Sequence, residues 1–352
     1  AKFDTSGRLG IGTVNPTDPL HVYHASDNFV GRFESGDAGG GIVLKDPTHS
    51  TTLITNDGDF TINVDNGSDI TGETIKFEMS GSEKLRITST GLLLGASDAQ
   101  GNTTLGGNAG DSFSGTSAIQ NTLIGYDAGT AITSGDQNVA LGYNALKTVS
   151  SNGGNTAIGS LALEDNTAGG NTAVGYNSMK ENVSGQNNTA LGFDTLVNNT
   201  GNLNVAIGRD AMKASNHSAG HDNVVIGSYA AYQAPHIYRN VIIGRSALSE
   251  TSNTNGNHNN VIIGYEAGRR LSHYIGHNVI LGAHAMDGGG TGGGLANQYN
   301  ISDNIAIGRY ALQNVRHTSN NNIVIGQEAA QNAATGSGTY SNWTHNIAIG
   351  YR

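Results

Sequence analysis

Histidine, carboxylate and aromatic side chains are the groups in this chain that could ligate a metal, move a proton or hold a sugar. His217 and His221 lie four residues apart, as do His273 and His277. On a helix that spacing presents two imidazoles to one cation, but neither pair encloses the Glu of a zinc-protease motif. All four sit among Asn, Ser and Gly, the composition of solvated loops, so no metal is expected. Asp and Glu are scattered and not gathered beside aromatics, which gives no signature of a glycosidase pair, although distant segments can assemble one. The glycine-rich stretch from Asp287 to Gly294 lacks the Lys-Ser/Thr of a phosphate loop. No catalytic residue, metal or cofactor is assigned, and the chain is not read as an enzyme.

Aromatic residues carry a stronger pattern. Tyr126, Tyr143, Tyr176, Phe193, Tyr265 and Tyr351 each follow a glycine that recurs at a near-fixed interval. They are expected to line up along one edge as a packing spine, with a sugar-binding stripe as the sharper alternative. Tyr299, Tyr340 and Trp343, the sole Trp, fall in the two longest intervals between repeats. Long loops on a rigid scaffold are where binding concentrates, so these three are the receptor-binding candidates.

The scaffold follows from the repeat itself. Asn-(Thr/Val/Ile)-apolar-(Ile/Leu/Val)-Gly recurs fourteen times, as in Asn155–Gly159, Asn204–Gly208 and Asn240–Gly244. Its glycines run from Gly106 to Gly350 with a mean period of about 19 residues, the signature of a solenoid. Three positions past the glycine stands a small residue (Ala145, Ala162, Ala211), usually followed by Leu or Met. Each copy reads as a short strand, a turn at glycine, a second apolar contact and a polar return. Side-chain alternation puts Asn155, Ala157 and Gly159 on one face and Thr156 and Ile158 on the other. Likewise Asn204 and Gly208 share one face with Ile207 on the other, and Asn240 and Gly244 share one face with Ile243 on the other. From Asn223 onward the Thr position becomes Val or Ile, so both faces turn apolar and the outer one needs a partner. The recurrent Asn either forms an amide ladder up the stack or caps the preceding turn.

Composition agrees with this reading. Glycine supplies 52 of 352 residues, prolines number four, charged residues are 13%, and no Gly-X-Y period exists, which excludes collagen. A net charge of −10 without clustered Lys and Arg argues against a nucleic-acid surface, and no apolar run is long enough for a membrane helix. Zero cysteines exclude disulfides. The chain opens Ala1-Lys2-Phe3-Asp4, with no initiator Met and no apolar leader, as expected of a portion of a longer or processed product.

Residues 1–95 read as a small all-β module and 96–352 as the repetitive shaft. Leu20–Tyr23, Gly41–Leu44 and Phe60–Val64 alternate as strands, and Asp57-Gly58 and Asn66-Gly67 read as tight turns. The segment Ile87–Leu93 echoes Phe3–Leu9, which suggests modules in series.

Two stretches resemble known material. Gly7–Pro16, followed by Pro19–Val22, looks like the linker of bacteriophage tail fibres, notably from marine phages, and Glu83–Gly91 matches the segment preceding such a linker. After Gly91 the chain enters the repeats instead of a further linker, and it lacks the self-cleaving C-terminal chaperone many such fibres carry. The repeats are similar to the head repeats of trimeric autotransporter adhesins, whose period is shorter. The resemblances imply an extracellular homotrimeric β-solenoid or β-roll shaft on a virion tail. Its partners would be other phage tail proteins and a bacterial surface glycan or protein, with neither nucleic acid nor membrane insertion. Fourteen coils at one strand spacing each extend about 65 Å. A bacterial trimeric adhesin, an ice-binding solenoid and a polysaccharide-degrading tailspike are the alternatives.

Overall fold

A computed structural model describes residues 1–11, 13, 15, 17, 19–22, 74–79, 82–88, 91–94, 100–113, 117–198, 200–213, 220–251, 256–271, 274–288, 300–315, 318–333 and 342–352. The described residues are all-β, with no helix, and the repeats form a β-solenoid. The chain divides into two compact units, Ala1–Asn66 and Gly67–Arg352.

In the first unit, Lys2–Phe3 pairs antiparallel with Leu9–Ile11, which pairs parallel with Leu20–Val22. Asp4 closes the intervening turn by accepting from the amides of Ser6 and Arg8 and from the Arg8 guanidinium at 2.9 Å. Those bonds, the Arg8 amide foremost, hold its carboxyl below the usual carboxylate range. The strand expected at Leu20 is present, whereas Gly41–Leu44, Phe60–Val64 and the turns at Asp57 and Asn66 lie outside the described residues. In the second unit, Thr74–Met79, Ser82–Thr88 and Gly91–Leu94 form an antiparallel sheet.

The solenoid is built on one fourteen-stranded parallel sheet, running in chain order from Thr103–Leu105 to Ile347–Ile349. Each strand is the three-residue centre of one repeat, and registers are uniform: Ala157 faces Ala140 on one side and Ala173 on the other. Ala157 is fully buried, while Ile158 on the opposite face is 36% exposed. The alternation read from sequence therefore places Asn and the central residue inward and the flanking residues outward.

A three-residue strand can repeat only if the chain turns sharply after it. Gly159, at φ +134°, makes that turn; a Cβ there would stand 2.5 Å from the Gly175 carbonyl oxygen of the next coil. Beyond it the backbone alternates hands. Leu161 (φ +62°) donates its amide to the Tyr143 carbonyl of the coil before, and Leu163 (φ +52°) to the Ser178 carbonyl of the coil after. Ala162 bonds Gly159 within its own coil. A left-handed residue with a large side chain costs about 1–2 kcal/mol. Leu163 offsets that cost by being fully buried against the inward Ala column.

The recurrent Asn forms a ladder. Asn155 donates both its backbone amide and its Nδ2 to Asn138 Oδ1 at 3.1 Å, and its Nδ2 also reaches the Ala168 carbonyl of the next coil. Asn204 repeats this with Asn188 Oδ1 and the Gly220 carbonyl. Asn240 does so with Asn223 Oδ1 and the Asn257 carbonyl. The chain of amides continues to Asn346. Of the two readings of this Asn, the ladder is the one formed. The left-handed residue is the one before it, as at Gln137, Leu203 and Arg239.

From Ile237 onward each coil gains a second short strand. Ile237–Tyr238, Asn257–His258, Tyr274–Gly276, Asn300–Ser302, Ser319–Asn320 and Trp343–Thr344 form a six-stranded parallel sheet. The inward residue at the strand centre is Ala173, Ala190 and Ala206 in three successive coils and Val225, Ile242, Ile262 and Ile280 in the next four, all fully buried, while Leu123 in an early coil and Ala306 in a late one depart from that trend.

Candidate functional site

Fourteen copies of one outward pair of residues make the most extensive surface feature. The first member of each pair is Thr156, Thr172 and Thr189, then Val205, Val224, Val241 and Val261; the second is Leu141, Ile158, Leu191, Ile243 and Ile263. Leu141 (44%), Leu191 (46%) and Ile263 (37%) are all exposed in the single chain. In-register pairing stacks these side chains into two columns along the sheet. A continuous apolar strip of this kind is what a protein buries against a partner.

Just past each glycine runs the aromatic column. Tyr126 and Tyr143 stack with ring centroids 6.0 Å apart, and Tyr176 and Phe193 with centroids 5.3 Å apart. The Arg209 guanidinium lies 5.7 Å from the Phe193 ring and Arg245 5.9 Å from Tyr265. The spine expected from spacing thus exists in segments, with Ser160, Arg209, Ser228, Arg245, Ala283, Arg309 and Gln327 interrupting it.

A charged column borders it, which single-sequence reading missed because its members are far apart in the chain. Lys213 bridges Asp194 and Asp210, the latter at 2.9 Å; these hydrogen bonds, Asp194's first, raise the lysine's pKa. Asn144 donates to Glu164 at 2.7 Å, and Glu164 meets Lys180 at 3.5 Å.

Glu266, His284 and Asp287 offer donor atoms within 4.8 Å of one another. His284 Nδ1 stands 3.5 Å from Glu266 and 4.0 Å from Asp287. Both carboxylates already hold arginines, Glu266 with Arg269 and the buried Asp287 with Arg270 in a two-pronged contact. Asp287 in turn raises the pKa of Arg270. The group is a neutralised ionic cluster, and its charges are spent on one another.

Of the histidines weighed for metal, His217 and His273 lie outside the described residues. His221 pairs with Asp222 at 2.8 Å and stacks on Tyr238, while His277 packs edge-on to His258 with centroids 5.1 Å apart. Tyr238 and Tyr274 enclose His258 from the neighbouring coils. Asn259 Nδ2 lies 3.0 Å from His258 Nδ1 and 3.2 Å from His277 Nε2. Burial lowers the pKa of His258, with smaller contributions from His277 and Arg239.

The receptor candidates part company. Tyr299 and Tyr340 lie outside the described residues. Trp343 is half-buried: it begins the last strand of the second sheet, packs against the core, and accepts from Asn322 Nδ2 at 2.8 Å through its carbonyl. Comparison with protein-family profiles, curated proteins and solved structures finds no match.

Proposed function

We propose that this chain is part of a bacteriophage tail fibre, a homotrimeric extracellular shaft that gives reach and multivalent attachment to a bacterial surface glycan or protein. A small N-terminal β module would join it to other tail proteins. The observation that carries the reading is the apolar strip on the fourteen-stranded sheet, which a single chain leaves open. Three copies facing a common axis would cover it, and closed symmetry makes the burial repeat identically in each. Three-fold order in particular rests on the resemblance of the linker and repeats to trimeric fibres and adhesins. The attachment has no catalytic component in this reading.

A panel of marine bacterial strains tests the function. Labelled protein should be retained on cells of at least one strain. A Val241→Asp/Ile243→Asp variant, folded by circular dichroism but reduced to single chains, should be retained at least ten-fold less because avidity is lost. Retention on no strain, or undiminished retention of the single chains, contradicts the proposal.

The outward Thr residues at 156, 172 and 189 favour a second reading, an ice-binding face. The column loses its hydroxyls from Val205 onward, which confines that reading to the early coils. Thermal hysteresis in dilute solution would establish it.

A further inference from the structure

Two aromatic rings on either side of a one-coil gap are the feature of this surface that ring packing leaves unexplained. Tyr126 covers one face of the Tyr143 ring, so the other face points along the stack toward the coil of Ser160. Phe193 covers one face of Tyr176, so its free face points back toward the same coil. The three positions are consecutive steps of one hydrogen-bonded corner: Leu161 donates to the Tyr143 carbonyl at 2.9 Å, and Asn177 to the Ser160 carbonyl at 3.1 Å. The Asn144–Glu164–Lys180 contacts link the same three coils in the adjoining column. Tyr143 and Tyr176 are 53% and 45% exposed.

Two strand spacings separate those ring planes by about 9.6 Å. Van der Waals contacts of about 3.5–4.0 Å on each side leave about 2 Å for the guest's own thickness. One ring of a guest fits between them, and a pyranose chair offers C–H groups to both tyrosine faces at once. The electron-rich ring faces suit the C–H faces of a sugar, and Ser160, the residue between the two tyrosines in the column, carries a hydroxyl. Among the described residues no other interruption of the column has a ring on both sides: Ser228 lies between Arg209 and Arg245, and Ala283 between Tyr265 and Arg309.

We propose that Tyr143, Ser160 and Tyr176 form a slot that takes one pyranose ring of a surface glycan. The slot deepens the attachment reading by naming a glycan subsite, and it rests on that reading only for the source of the sugar.

Saturation-transfer NMR on the native protein, with methyl glycosides of glucose, galactose, mannose and N-acetylglucosamine as probes, tests it. At least one glycoside should receive saturation through its ring protons with millimolar affinity. Ser160→Tyr, which completes the column with a residue already accepted in neighbouring coils, should weaken binding at least ten-fold and leave the thermal midpoint unchanged. Ser160→Ala, which keeps the gap open, should bind within about three-fold of the native protein, since the rings hold the guest. Saturation of no glycoside, or equal binding by Ser160→Tyr, overturns the slot. Either result leaves the fibre reading standing, because that reading fails on cell retention and particle mass, neither of which requires these three side chains.

Discussion

Every polar atom of the ladder Asn has an assigned partner, and this makes the residue costly to replace. Asn204 Oδ1 accepts from the amide and the Nδ2 of Asn223, while its own Nδ2 binds Asn188 Oδ1 and the Gly220 carbonyl. Asn204→Ala strands the Asn223 amide and the Gly220 carbonyl in the interior, at about 1–3 kcal/mol each. A loss of about 2–6 kcal/mol is expected in chemical denaturation, with no change in the outward residues. His258 supplies a pH dependence of the same local kind. Its folded pKa lies below the ordinary 6.5, so the native state holds it neutral between Tyr238 and Tyr274 while the unfolded chain protonates. Its contribution is therefore complete above pH 6.5 and is lost as pH falls toward the depressed value, with a slope of at most about 1.4 kcal/mol per pH unit. The charged and titratable groups around it (His221, Asp222, Arg239, His277, Tyr238 and Tyr274) stay in place in His258→Phe. That variant should flatten the acid limb of thermal midpoint against pH between 6.5 and 5, and an unaltered limb would assign it to another group.

At the scale of the element, the coil interior sets which residues the strand centre accepts. The coil of Ala173 has no second strand and closes around that alanine, whereas the coil of Ile242 closes with the buried Ile237 of the second sheet beside it. Ile242→Ala should cost about 2–5 kcal/mol through the cavity it leaves. Ala173→Ile should cost about 1–3 kcal/mol through overpacking, although the same residue type is native four coils later. Both follow from denaturation midpoints, and a neutral Ala173→Ile would show that the early coils have spare volume. Much of this element was legible in sequence: the strand at Thr156–Ile158, the opposite facing of Ala157 and Ile158, the turn at Gly159 and the apolar contact at Ala162 and Leu163 follow from period and alternation, whereas which face turns inward does not. The second sheet was not, because Asn257-His258 and Ser319-Asn320 carry no strand pattern and pair only after the first sheet has fixed their height. Nor were the left-handed Leu161 and Leu163, where stacking overrides a local preference for glycine. The Tyr143–Ser160–Tyr176 slot was half legible. The tyrosines were singled out by spacing, but their stacked partners, and therefore the gap between free faces, appear only once the coils are superposed. Lys213 and its two aspartates had no readable signal, since Asp194 lies a full coil away.

For the whole solenoid, thirteen steps between fourteen parallel strands give a length of about 62 Å at one strand spacing each. Along that length the inner Asn ladder is internally bonded, and the trimer proposed here would use the outer strip. The strip changes from Thr with Ile or Leu in the early coils to Val with Ile in the later ones, so the later coils bring the larger apolar burial to any assembly. The native mass by light scattering, in solution and without denaturant, tests the central claim most directly. Three chains of 36.3 kDa, about 109 kDa in all, with Val241→Asp/Ile243→Asp falling to a single chain, is the result this account predicts. A folded native particle of 36.3 kDa, with the strip open to water and the aspartate variant unchanged in mass, would contradict it.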